Sequence, residues 1–278
     1  MEALWAALRL RPIEHRGPRA RWECARAHVG DPFCAAVYAS RGAHTVGEAF
    51  FSGYQAAVEQ LTGQVAVQAL LVTEKSGQHP RDLRTRVSQG LLTGQKSFVL
   101  DDVDQHWVLA TAGVLPDGRA DLVLASVDAK RAQTTPVASA WLTDVPHSIA
   151  RYDSVQISRS LPDAWARYVR PFRIVEDIGV LAAVCSARMS AEVDPEAAEV
   201  WLALLLALWG LYRASPSAPE TVRALAGVRA RFDAECGRTL DGPLAQTWER
   251  DSRVFGIGRG ARATRLLMAR AEVASRHS

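Results

Sequence analysis

Lysine is nearly missing from this chain. Of 33 basic residues only Lys75, Lys96 and Lys130 are lysine; the others are arginine. The skew reads as the codon bias of a GC-rich bacterial genome, because 30 acidic residues bring the formal net charge to only +3. A basic surface for nucleic acid is therefore not expected. Cysteine is scarce too: Cys24, Cys34, Cys185 and Cys236 form no CxxC pair, which excludes a disulfide framework and points to a reducing cytoplasm. Cys24, His28 and Cys34 have a suggestive spacing, but no fourth ligand follows, so no metal site is expected. Long apolar runs are lacking. The longest, Val200 to Leu211, falls short of the ~20 residues that a bilayer requires and reads as a buried helix, so no membrane span is expected. The opening Met1-Glu2-Ala3-Leu4-Trp5 has neither the charged start nor the apolar stretch of a secretory signal. No internal repeat and no low-complexity tail is visible.

What is present is an ordinary globular composition, 48% hydrophobic and 23% charged, over 278 residues. That length suits two domains with room for a small third part. Three segments separate on pattern. Residues 1–68 are mostly helical, with Ala49, Phe50, Tyr54, Ala57, Val58 and Leu61 recurring at helical spacing. Residues 69–160 change period. Runs at Val67–Val72, Ser97–Leu100, Trp107–Ala112 and Ala120–Val127 are rich in strand formers and broken by turns such as Pro116-Asp117-Gly118. Residues 161–278 return to the helical period. A start is expected at Pro162-Asp163, an interruption at Pro171, and further helices over about Pro195–Arg213, Glu220–Cys236 and Arg259–Ser275. Four such helices with short connections predict a bundle. The fold class is thus α+β: a short helical segment, a middle antiparallel β-barrel-like domain, and a C-terminal four-helix bundle. Trp201, Leu204, Leu205, Leu208, Trp209 and Tyr212 make one helix apolar nearly all round, which predicts an oligomer.

Particular residues narrow the choice. Val72-Thr73-Glu74-Lys75-Ser76-Gly77 resembles the first flavin-contacting loop of the acyl-CoA dehydrogenases. Leu92-Thr93-Gly94-Gln95-Lys96-Ser97-Phe98-Val99 resembles their Gly-Gln-Lys segment and the strand beside the flavin ring. Trp107–Ala110 and Leu122–Asp128 look like the next two strands, Glu249–Phe255 like the Arg-Asp-Ala-Arg segment, and Arg265–Arg270 like the final helix. The pieces run from about Val46 to Ala274 in the family's order, with a shorter N-terminal helical part. The resemblance implies FAD, with Val72, Thr73, Gly77, Phe98, Val99 and Leu100 at the cofactor. It also implies α,β-oxidation of an acyl thioester carried by CoA or by an acyl carrier protein. A carboxylate would remove the α proton, and donors would polarise the thioester oxygen.

The sequence departs from the family pattern at four places. Lys75 stands where Pro usually follows Thr-Glu, and Gln78-His79-Pro80 follow Gly77. Leu100 stands where a hydroxyl side chain would reach the flavin ring. Arg213 lacks the Phe-Gly of the family's pyrophosphate segment, and Cys236-Gly237-Arg238 is a poor counterpart of the Gln with paired glycines. In Ile257-Gly258-Arg259-Gly260-Ala261, Arg259 occupies the usual place of the catalytic Glu. A guanidinium stays protonated and cannot take a proton. Glu176 is the fallback base, and its bland alternative is a surface carboxylate. Arg259, Arg262 and Arg265 are expected either to create an anion site at a helix start or to point into solvent or pair with nearby carboxylates such as Glu249 and Asp251. The run Gly256–Gly260 lacks the preceding strand of a dinucleotide fingerprint. Two other readings stand beside the enzyme: a non-catalytic partner subunit of a longer relative, and a flavin-free acyl-thioester binding module.

Overall fold

The helical spacing of the first segment produces α1 (Glu2–Arg9), α2 (Pro18–His28), α3 (Pro32–Ser40) and α4 (Val46–Thr62). These belong to a computed structural model that describes residues 1–14, 17–75, 77, 79–237, 243–256 and 259–276. The starts are locally encoded. Pro18 and Pro32 sit in first turns, where a missing N–H forfeits no helical bond. Asp31 caps α3 by accepting from the Cys34 N–H at 3.0 Å. At α4, Thr45 Oγ1 accepts from the Glu48 N–H (3.1 Å) while Glu48 reaches back to the His44 N–H (2.8 Å), a reciprocal cap.

The period-2 segment gives β1 (Gln68–Leu71), β2 (Arg86–Ser88), β3 (Leu91–Leu100), β4 (Gln105–Val114), β5 (Ala120–Asp128), β6 (Gln133–Val137), β7 (His147–Gln156) and β8 (Arg159–Leu161). Helices α5 (Arg170–Ala191), α6 (Pro195–Tyr212), α7 (Pro219–Glu235), α8 (Pro243–Asp251) and α9 (Arg259–Ser275) follow. Pro171 interrupts less than its sequence position predicts. Residues 165–169 wind as a π-helical turn, closed by the Arg170 N–H on the Trp165 carbonyl, and Pro171 falls in the first turn of α5.

The chain divides into two compact units, 1–57 with 174–278, and 58–173. In the helical unit, α4 and α5 cross at glycines: a Cβ on Gly53 would lie 2.5 Å from the Gly179 carbonyl oxygen. Only glycine allows backbones that close. Phe33 of α3 packs on Trp209 and Tyr212 of α6, with ring centroids 5.2 and 4.8 Å apart. Ser186 Oγ donates to the Val37 carbonyl at 2.8 Å. Buried Arg21 donates to the carbonyls of Ile13, Ala39 and Arg41, tying the end of α3 to α2. Arg188 lies buried between the rings of Trp201 and Trp248, 4.9 Å from each centroid. Helix α6 has the length and composition of a membrane span. Its Trp201, Leu204, Leu205 and Leu208 are buried, as in a core helix, and Ala203, Ala207 and Gly210 on other faces are exposed.

In the β unit the strand order is β6-β7-β3-β2-β4-β5-β8, with β1 beside β4. Most ladders are antiparallel, and Leu115–Arg119 close the β4–β5 hairpin through Gly118 at φ 81°. The expectation of a wholly antiparallel domain needs correction. β1 runs parallel to β4 over four residue pairs, and β2 touches β4 in parallel at Arg86–Thr111. The intervening loop and strands give the chain enough length to return in the same direction. The sheet also curls. Tyr152 Oη of β7 and His106 Nδ1 of β4 lie 2.8 Å apart, although β3 and β2 separate their strands in the order. Flat strands ~4.8 Å apart would hold those side chains well out of reach. Trp107 Nε1 donates to Gln68 Oε1 (2.6 Å), which also accepts from Thr62 Oγ1 (3.0 Å).

Candidate functional site

The segment that resembles the flavin loop is built around one buried ion pair. Glu74 and Lys96 have 5% and 0% of their side-chain surface exposed, with Lys96 Nζ 2.8 Å from Glu74 Oε1. The backbone N–H groups of Arg84 and Thr85 donate to the same carboxylate at 2.7 and 3.1 Å. Burial pulls Lys96 down to about 8, and Glu74 opposes that fall. Burial pushes Glu74 upward, but the bonds from Lys96, Arg84 and Thr85 outweigh it and hold the carboxyl below its ordinary value. The pair has a geometric task. It clamps the turn 72–77 against β3, where the Ser97 N–H donates to the Thr73 carbonyl at 2.9 Å. Within the turn, Glu74 and Gly77 exchange backbone bonds of 2.9 and 3.0 Å, and Gly77 at φ 129° takes a conformation that favours glycine. Gly94 has a similar reason: φ is 149°, and a Cβ there would lie 2.5 Å from Thr85 Oγ1.

Immediately beyond this clamp β3 bulges. Its register with β7 shifts between Lys96 and Val99, and Phe98 inside the bulge has φ 55° with 64% of its surface exposed. An aromatic residue in the left-handed region costs about 1–2 kcal/mol, and exposing its ring recovers nothing from burial. Strain and an exposed ring thus coincide at one position of the sheet. Val72 and Thr73 are half-buried beside it in the chain, whereas Val99 and Leu100 are buried. Only main-chain atoms of those last two can reach a ligand without repacking. Ser76 and Gln78 lie outside the described residues.

The helical unit holds the other sequence-selected residues. Glu176 is half-buried on α5, and Arg259 is exposed at the first residue of α9. Ile257, Gly258 and Arg238 lie outside the described residues. Arg262 and Arg265 pair with a nearby carboxylate, Asp177 of α5, at 3.8 and 4.0 Å, where Arg229 of α7 joins them at 3.6 Å. Asp251 is buried with Arg250 on both of its oxygens (2.6 and 2.7 Å). Asp177, Arg229, Arg262 and Arg265 line a cavity formed by α5, α7 and α9; successive helix residues project about 100° apart, and Glu176 is not part of its lining. Arg213, in place of the pyrophosphate segment, pairs with Asp31 at 3.6 Å.

Lys96 and Glu74 each fall inside a motif of the sequence, but nothing local there encodes their pairing. The available signal was a rare lysine flanked by strand formers. Nothing in the sequence announced Arg229 or Asp177.

No protein-family model and no curated protein matches the sequence. Solved structures do. Butyryl-CoA dehydrogenase from Megasphaera elsdenii aligns with TM-score 0.60 at 10% identity, covering 92% of this chain and 85% of that one. The 3-HSA hydroxylase from Rhodococcus sp. RHA1 aligns at 0.57 and 12% identity, covering 88% and 83%. The apo-form of PigA aligns at 0.58 and 10% identity, covering 95% and 94%. Mixed α and β elements in this order, with these structural neighbours, establish the fold: the chain has the acyl-CoA dehydrogenase-like fold.

Proposed function

We propose that the protein is an FAD-dependent oxidoreductase of the acyl-CoA dehydrogenase type, acting at the α,β positions of an acyl thioester carried by CoA or an acyl carrier protein. The observation that carries this reading is Phe98: an exposed ring on a strained bulge, clamped beside Thr73 by Lys96 and Glu74. The residues fit the ring end of FAD. Phe98 offers an apolar face, and the main chain at Thr73, Val99 and Leu100 offers the polar contacts. Leu100, buried and aliphatic, supplies no side-chain hydrogen bond. When bound, FAD supplies a two-electron acceptor for hydride.

The proton is the task of this chain's own residues. Glu176 is the proposed base, since a half-buried carboxylate can accept the α proton, and Arg259 remains protonated and cannot. The chain works as an oligomer in this reading. The exposed Leu267 and Met268 of α9 and the uncovered faces of α6 support that assignment. The purified protein should carry the visible absorbance of oxidised flavin, and a saturated acyl-CoA should bleach it without oxygen. Glu176→Gln should stop the bleaching and leave flavin bound. Protein that binds no flavin, even when FAD is added, defeats the proposal and leaves the flavin-free binding module. A second reading follows from Arg259: a non-catalytic subunit of a longer relative. Bound flavin that no acyl-CoA bleaches, together with co-purification of that relative, would select it.

A further inference from the structure

We infer that α6 pairs antiparallel with the α6 of a second copy of this chain, along a seam of Glu196, Glu199, Ala203, Leu206, Gly210 and Arg213. This deepens the oligomeric part of the reading above and does not depend on flavin.

The seam is written in the spacing. Those six residues follow one another at steps of 3, 4, 3, 4 and 3, the repeat that keeps one stripe of a helix facing a second helix over several turns. Leu206 is half-buried and the other five are exposed. The stripe lies opposite Trp201, Leu204, Leu205 and Leu208, which the chain buries. Val200, Leu202 and Leu211 flank it, each half-buried. Only 39% of this apolar helix is buried within the chain, which leaves apolar surface for a partner to cover. Gly210 points the same way. A glycine in a helix interior weakens the helix relative to alanine. A Cβ at Gly210 would meet nothing within 4 Å, so the packing of the described residues gives no reason for glycine there. A second backbone approaching closely does.

Charge sets the direction and the register. Glu196 and Glu199 stand at the start of the stripe and Arg213 at its end, with 63% of its side chain exposed. A parallel pair would set like charge against like. An antiparallel pair crossing at Leu206, midway between 199 and 213, sets Glu199 of each copy opposite Arg213 of the other, about 10 Å from the crossing. Ala203 and Gly210 keep the backbones close between those points, and at a crossing angle of about 20° the long charged side chains can span the spread. Arg213 is steadied beforehand by Asp31 at 3.6 Å and by the Trp209 ring, 5.4 Å from its centroid, so it loses less freedom on pairing.

The test is sedimentation equilibrium of the full chain at micromolar concentration, which should show an even-numbered assembly. Gly210→Trp puts an indole on the seam where the chain itself leaves room. Its circular dichroism should be unchanged, while self-association weakens at least about tenfold. Glu199→Arg and Arg213→Glu should each halve the assembly. Mixed in equal amounts they should restore it, because each supplies the charge that the other lacks. Acid at a helix start and arginine at its end also suit the helix dipole, but that role predicts no recovery on mixing, and its absence would overturn the antiparallel register. A monomeric unaltered chain would overturn the pairing, and monomers that float with phosphatidylcholine vesicles would give the face to lipid instead. An assembly indifferent to Gly210→Trp would also overturn it, leaving an oligomer built on another face. A chain that binds no FAD yet assembles through α6 would keep this inference and defeat only the flavin reading.

Discussion

The two units handle buried charge in opposite ways. In the β unit several buried polar groups meet defined partners: Lys96 meets Glu74, His106 meets Tyr152, and Trp107 meets Gln68. Those bonds fix a backbone shape, above all the turn before the Phe98 bulge. In the helical unit arginine does the work, and it does so diffusely. Arg188 rests between two indoles, and Arg229, Arg262 and Arg265 share one aspartate. The difference shows that one chain can hold buried charge by tight pairing in one unit and by sharing in the other.

The sharpest way to break this contrast is Lys96→Met. Leaving Glu74 buried without its cation should cost about 3–5 kcal/mol of unfolding free energy in urea, with flavin retention lost. A loss below 1 kcal/mol would place the pair among weak surface bridges. Next in size is a pH effect. Burial lowers His106 to about 4 from an ordinary 6.5. Its neutral form stabilises the fold fully above pH 6.5. That contribution fades as pH falls toward 4, because the unfolded chain takes up the proton first. The expected loss is about 3 kcal/mol, and His106→Gln should flatten that slope of stability against pH.

For the helical unit, Gly53→Ala forces α4 and α5 apart and should cost about 2–3 kcal/mol. An unchanged denaturation midpoint would show that this crossing can relax. The smallest effect sharpens the comparison most. Phe98→Gly removes an exposed ring from a left-handed position, so stability should stay level or rise by up to about 1 kcal/mol. Flavin retention should nevertheless be lost, which a purely structural Phe98 would not predict.

Much of the fold was legible in the sequence. The ranges expected for α6, α7 and α9 fall within a residue or two of those observed, because proline starts and apolar spacing are local signals. The Pro116-Asp117-Gly118 turn was legible for the same reason. β6 was not: Gln133, Thr134, Thr135 and Pro136 are all exposed and show no alternation. Nor was α8, whose buried residues are only Leu244 and Asp251. At the site, the glycines and Phe98 announced themselves through a motif. The meeting of Asp177 with Arg229 and Arg262 did not, because helical periodicity tells which face is apolar and not which helix it will meet.

The division of the chain has a consequence in time. The β unit is continuous, whereas the helical unit is split around it. During synthesis Gly53 waits for Gly179, about 125 residues later. At roughly 5–20 residues per second that is a delay on the order of 6–25 s. For that interval the apolar sides of α1 to α4 have none of their α5 and α6 partners, and by its end every strand of the sheet has been made. The nascent chain is thus most open to chaperone capture, and to aggregation, just as its β unit becomes complete. The segment made before the β unit is completed only by the segment made after it.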